Sequence, residues 1–256
     1  MDCSELVRSL VERAVLSEQA REHLRTCQYC HELVGALDSP RITDRSLSPS
    51  IHTLRESLSA DLRPAKPFKP AYLAAAFIAV FLLIVGGGLI RWGAPTIAAM
   101  SLSQATWTLV TIGASMAALV GSIVAQMFPG SRFRIRPALI PITIVVMLMF
   151  VIASLFHFDH DPDFWQRGSH CLFAGLSFAL IAALPFWAIL RKGAILSPGL
   201  TGASAGLLAG LAGLTVLELH CSDLTAWHIL TWHIGAALAA ALIGLTIGVA
   251  LERFHR

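Results

Sequence analysis

Six long apolar stretches, approximately residues 71–90, 105–128, 138–156, 171–190, 196–217 and 229–251, constrain this chain more than anything else in it. A helix rises roughly 1.5 Å per residue, so about 20 mostly apolar residues cross the hydrocarbon layer of a bilayer. Within lipid every backbone N–H and C=O must be bonded inside the segment, which a helix does and an open strand does not. Any one of these stretches is also compatible with a buried helix of a soluble protein. Six in succession predict an all-α fold dominated by a six-helix transmembrane bundle. The composition agrees: only 14% of residues are charged, where a soluble domain carries about a quarter.

Charge divides the chain. Ten of the sixteen carboxylates lie in the first 61 residues, ahead of any apolar run. This predicts a polar head followed by a linker and lead-in, then the membrane domain over 71–256. The opening "MDCSELVRSLVERAVLSEQ" carries carboxylates and no apolar core of the kind a secretory signal needs. The head is therefore expected to stay in the cytosol. Basic residues in short loops orient the spans. Ten of them (Arg63, Lys66, Lys69, Arg132, Arg134, Arg136, Arg191, Lys192, Arg253 and Arg256) fall on the side of both termini, against Arg91 and Arg167 on the other. Both termini are expected inside. A net charge of +3 is too small to argue for nucleic acid as a direct partner.

Gly202, Gly206 and Gly210 repeat every fourth residue in the fifth stretch, as do Gly244 and Gly248 in the sixth. Small residues at this spacing let helix backbones approach closely in a membrane. The span interiors lack Lys and Arg, and Glu218 stands near a span end, which argues against an ion pathway.

The head contains "REHLRTCQYCHELVGAL", residues 21–37. Cys27-x2-Cys30-His31 has the spacing of a c-type haem attachment site, but haem is attached outside the cytosol. His23-x3-Cys27-x2-Cys30 has ligand spacing, and reduced cytosolic thiols argue for metal rather than a disulfide. Zinc takes four Cys or His ligands in a tetrahedral shell. Ser17 is suited to cap a helix over 18–26, placing His23 and Cys27 one turn apart. A preceding helix with Leu6, Val7, Leu10 and Val11 on one face, folded back, brings Cys3 to the site as the fourth ligand. The alternative is a small helical pair with reduced thiols.

Cys3 followed by His23-x3-Cys27-x2-Cys30 on short helices resembles the zinc-associated anti-sigma domain. That resemblance implies a head, residues 1–37, that binds an extracytoplasmic-function sigma factor around a structural zinc; His31 is not among that family's usual ligands. "LRESLSADLRPAKPFKP", residues 54–70, resembles the cytosolic lead-in of NrsF-type negative regulators of sigma factors, through Leu54, Leu58, Asp61, Leu62, Pro64, Pro67 and Pro70. Cys171 and "CSDLTAWHILTWH", residues 221–233, resemble that family's cysteine and Cys-His-Trp-His signatures. The two resemblances imply an anti-sigma factor in the bacterial inner membrane, with a 38–70 linker and lead-in joining head to bundle. They leave open whether the head, the lead-in or both hold the sigma factor.

The predicted topology sets Cys171, Cys221, His170, His220 and His228 at the outer surface, with His233 about a turn deeper. The loop "HFDHDPD" adds His157 and His160 among Asp159, Asp161 and Asp163. Thiols on the oxidising side suit a disulfide, and with imidazoles they suit a second, soft metal; interfacial His and Trp also serve simply as anchors. Cys171, Cys221, His228 and His233 are the candidate sensor. Two rival classes are a membrane thiol oxidoreductase, which would want a close reactive pair such as CxxC, and a metal transporter, which would want intramembrane carboxylates. No triad or phosphate loop speaks for an enzyme.

Overall fold

The computed structural model describes residues 3, 17–38, 69–128, 137–159, 163–193, 195 and 197–254. The expected helix around Leu6 to Val11, nearly all of the linker and lead-in, and His160 and Asp161 lie outside these residues. The chain divides into two compact units, Met1–Lys66 and Pro67–Arg256. Among the described residues every regular element is a helix.

In the first unit, α1 (Glu18–Thr26) starts where predicted. Ser17 is extended and its side chain accepts from the Ala20 N–H at 3.2 Å, with Glu18 complementing the helix dipole. Cys27 leaves the helical conformation after donating its N–H to the His23 carbonyl, and α2 (Gln28–Asp38) begins at once. Ala20 and Cys30 are buried between the two helices, with Cys3, Leu24 and Cys27 packed around them.

The second unit is a helical bundle. Pro70 opens α3 (Pro70–Trp92) at a position whose N–H needs no partner. Gly93, at φ 76°, ends it in a conformation other residues resist. A short α4 (Pro95–Ala99) follows, unforeseen in the sequence. Ser101 and Gln104 then form a reciprocal capping box at the start of α5 (Leu102–Gln126), and the Gln104 amide reaches on to the Leu155 carbonyl at 2.8 Å. The third predicted span is α6 (Leu139–Leu155), whose 17 residues sit at the short end of what crosses a bilayer. After α7 (Phe164–Leu190) and α8 (Pro198–His220), a short α9 (Ala226–His228) runs through a π-helical turn, Ile229–His233, into α10 (Ile234–Phe254). Five of these segments, α3, α5, α7, α8 and α9 to α10 taken together, are long and apolar enough to cross a membrane.

α8 is the axis of the bundle, buried along nearly its whole length. It packs most extensively on α10 and next on α7. The predicted glycine stripes face each other: a Cβ on Gly202 would strike the Gly244 carbonyl, one on Gly244 the Gly202 carbonyl, and one on Gly206 the Ala240 carbonyl. Large apolar side chains such as Leu83, Ile90, Phe150 and Phe173 point outward, as a lipid-facing surface requires.

Candidate functional site

Two clusters of metal-ligating side chains stand out, one in each unit. In the first, Cys3, His23, Cys27 and Cys30 each bring one donor atom within 4.8 Å of the others. Cys3 Sγ lies 3.5 Å from His23 Nε2 and 3.8 Å from Cys27 Sγ, and Cys30 Sγ lies 3.5 Å from His23 Nε2. Tetrahedral zinc has Zn–S near 2.3 Å and Zn–N near 2.0–2.1 Å, so two of its sulfurs stand about 3.8 Å apart and a sulfur and a nitrogen about 3.5 Å apart. The donors fit that shell. The helix break at Cys27 turns Cys30 back toward His23, which an unbroken helix would not do. Burial, followed by the neighbouring Cys3 and Cys27 thiols, pushes the Cys30 thiol up to about 12, while the Cys30 backbone N–H holds the Cys27 thiol below its usual value. Crowded thiols that resist joint ionisation are what a bound cation relieves. His31 is exposed and outside the cluster.

The second cluster gathers Cys171, Cys221, His228 and His233, again with one donor atom each within 4.8 Å. Cys171 was expected at the start of a span; α7 instead begins at Phe164, because the polar residues Gln166, Arg167 and His170 continue the helix beyond its apolar run. Cys171 therefore sits two turns in, on the face that meets α8 and the π turn. Gly168, one turn earlier, has no Cβ, and the Trp232 indole takes that space. Phe164 and Trp165 close around the same ring, with centroids 5.3 and 5.4 Å from it. Cys221 ends α8, its N–H bonded to the Leu217 carbonyl, and its own carbonyl accepts from the buried Thr96 hydroxyl at 2.7 Å. The short α4 thus fixes the Cys221 loop.

Cys171 Sγ and Cys221 Sγ are 3.7 Å apart, and Cys221 Sγ is 3.5 Å from His228 Nε2. These are again tetrahedral edge lengths. A carboxylate stands beside each imidazole: His233 Nδ1 is hydrogen-bonded to Glu218 Oε1 at 3.0 Å, while His228 Nδ1 lies 3.2 Å from Asp223 Oδ2 without hydrogen-bond geometry. A carboxylate behind a ligating histidine is the usual outer shell of a metal site. His233 Nε2 is buried and has no hydrogen-bond partner. The π turn makes the arrangement possible. Residues five apart in an α-helix are rotated by about 140°, whereas i to i+5 bonding stacks them, and the Ile234 N–H bonds the Ile229 carbonyl in that way. His228 and His233 end with ring centroids 5.2 Å apart. A cavity of about 500 Å³, lined by Arg167, His170, His220 and Asp223 among others, opens onto the two thiols.

Other candidates do not join the cluster. His220 stacks on Trp92 at 5.0 Å. His157 contributes its backbone carbonyl, accepting from the Ala226 N–H at 2.8 Å. Glu218 and Asp223 were not singled out as site residues. A glutamate three positions before Cys221, inside an otherwise uncharged span, was the available signal for the first of them.

The family model described as "NrsF: Negative regulator of sigma F" matches residues 58–254. The chain belongs to the NrsF family. It is 31% identical over 136 residues to the "Probable anti-sigma-F factor NrsF" of Azospira oryzae, an alignment covering 49% of this chain and 61% of that relative. The chain thus spans less than two thirds of that relative's length. No solved structure matches. The NrsF match takes in the whole second cluster with Glu218 and Asp223, and leaves the first cluster outside it.

Proposed function

We propose that the protein is a membrane-bound anti-sigma factor of the inner membrane, with both termini cytoplasmic. Its cytosolic part sequesters an extracytoplasmic-function sigma factor, and thiol or metal chemistry at the outer cluster releases it. The observation that carries the sensing half is the convergence of two thiols and two imidazoles, each with a carboxylate beside it, at metal-ligand spacing. Membership of a family of negative regulators of sigma F supports the other half. A structural zinc fits the head cluster, and a soft or borderline ion fits the outer one. Bound there, the ion would tie α7, the α8 end and the π turn together.

Energy limits the options. Turning a regulator from mostly closed to mostly open takes about 5.5 kcal/mol of differential binding. An exposed pair such as Asp163–Arg167 contributes about 1 kcal/mol or less. Gain or loss of a metal–thiolate shell spans the larger figure. A change in how α7 meets α8 passes to α3, which packs on both through Phe77–Phe186, Trp92–Phe178 and Trp92–His220. α3 follows the lead-in in sequence, so it is the proposed route of the change toward the cytosolic side.

Two experiments test this reading. Cys171→Ser or Cys221→Ser should abolish induction of a sigma-dependent reporter by thiol-binding metals while leaving repression in unstressed cells intact. The double variant should be no worse than either single one, because the two act as a unit. Normal induction in both single variants would make the cysteines structural. Separately, residues 1–69 should retain sigma-factor binding in a pull-down. Binding by the full chain alone would assign a direct part to the bundle.

A further inference from the structure

Glu218 is the buried carboxylate among the described residues of the bundle, 3% exposed, one turn before Cys221 on α8. Intramembrane carboxylates are costly and persist where they have a task. Its Oε1 accepts from His233 Nδ1 at 3.0 Å. A neutral imidazole that donates from Nδ1 carries its lone pair on Nε2. That nitrogen is buried and has no hydrogen-bond partner, on a residue whose fellow cluster members are Cys171, Cys221 and His228. His228 reaches one of these thiols, its Nε2 3.5 Å from Cys221 Sγ. The hydrogen bond from Nδ1 to Glu218 thus sets both the tautomer and the ring orientation of His233.

Resting on the outer-cluster reading above, we infer that Glu218 is a positioning residue that holds His233 as the Nε2-ligating tautomer. It thereby decides whether the cluster accepts an ion that needs two imidazoles beside two thiolates, such as zinc or cobalt(II). Ions satisfied by the thiol pair alone do not need it.

The test uses the purified full chain titrated with cobalt(II), followed by its thiolate charge-transfer and d–d bands, with zinc as competitor. The Cys171→Ser/Cys221→Ser double variant identifies which uptake belongs to the outer cluster, and the head cluster serves as an internal reference. Glu218→Gln keeps the side-chain size. It should weaken cobalt and zinc at the outer cluster by about tenfold to a hundredfold, reduce the d–d intensity there, and leave head uptake unchanged. Oxidant-driven Cys171–Cys221 crosslinking should proceed as in the parent chain, which a collapsed cluster would not allow. Added to His233→Ala, Glu218→Gln should cost nothing further, since it acts through that ring. Outer-cluster affinity within twofold of the parent, additive losses, or lost crosslinking would overturn the role of Glu218 alone. Parent uptake insensitive to the Cys171/Cys221 substitutions would overturn the outer metal site, and this role with it.

Discussion

Removing metal from the head should unfold it. Among the described residues its interior is Ala20 and Cys30, with Cys3, Leu24 and Cys27 around them, so this part of the core is built largely from the ligands themselves. Isolated helices of 9 and 11 residues are marginal in water. The Glu18–Arg21 and Glu22–Arg25 pairs are exposed and contribute little. Ligation by Cys3, His23, Cys27 and Cys30 is expected to supply on the order of 10 kcal/mol, more than any other contribution among the described residues of the unit. Residues 1–37 should bind one zinc per chain and lose most of their helical circular dichroism on addition of a strong chelator. Cys30→Ala should do the same without chelator, because Cys30 is both ligand and core. Full helicity with no bound metal would remove the site.

The second large effect lies between α8 and α10. A Cβ at Gly206 would meet the Ala240 carbonyl oxygen and come within 3.1 Å of the Ala241 Cα. These are backbone atoms, which cannot rotate aside as a side-chain tip does. Gly206→Val therefore forces the whole of α10 away from α8, and with it the π turn that carries His228 and His233. Overpacking in a core typically costs about 1–3 kcal/mol, and a backbone clash at a helix crossing belongs at or above the top of that range. The expected result is a large drop in the melting temperature of the detergent-solubilised protein. Gly121→Ala is the control, since nothing lies within 4 Å of a Cβ there. Equal stability of the two variants would mean that α8 and α10 are not in backbone contact.

Features that follow from local chemistry were readable in the sequence. Ser17 marks the start of α1, the apolar runs mark the spans, and the glycines at 202, 206, 210, 244 and 248 mark the closest helix crossing. The residues that converge in each group could also be named in advance, from the His-x3-Cys-x2-Cys spacing in the head and from loop charges that set Cys171, Cys221 and the two histidines at one end. Their mutual geometry could not. Nothing in "WHILTWH" signals a π turn, and the seating of Trp232 on Gly168 that accompanies it is a contact between distant parts of the chain. The start of α7 at Phe164 was hidden because a helix can outrun its apolar stretch. Glu218 is visible in the sequence but its task is not, since its partner His233 lies fifteen residues away across a loop.

The burial of α8 bears on how the protein is made. It is the least apolar of the five long membrane-capable helices, carries glycine at every fourth position along its first half, and holds Glu218. A carboxylate facing lipid is unfavourable even toward a span end, where Glu218 stands, though less so than the roughly 3 kcal/mol it costs at the centre. During synthesis α8 emerges before the π turn, which brings His233, and before α10, which brings the surface the glycines dock on. α8 is thus poorly suited to enter lipid alone and is expected to wait at the insertion machinery beside α7 until about thirty further residues have been added. The segment that ends as the centre of the bundle is the one whose entry into the membrane depends on a helix not yet made.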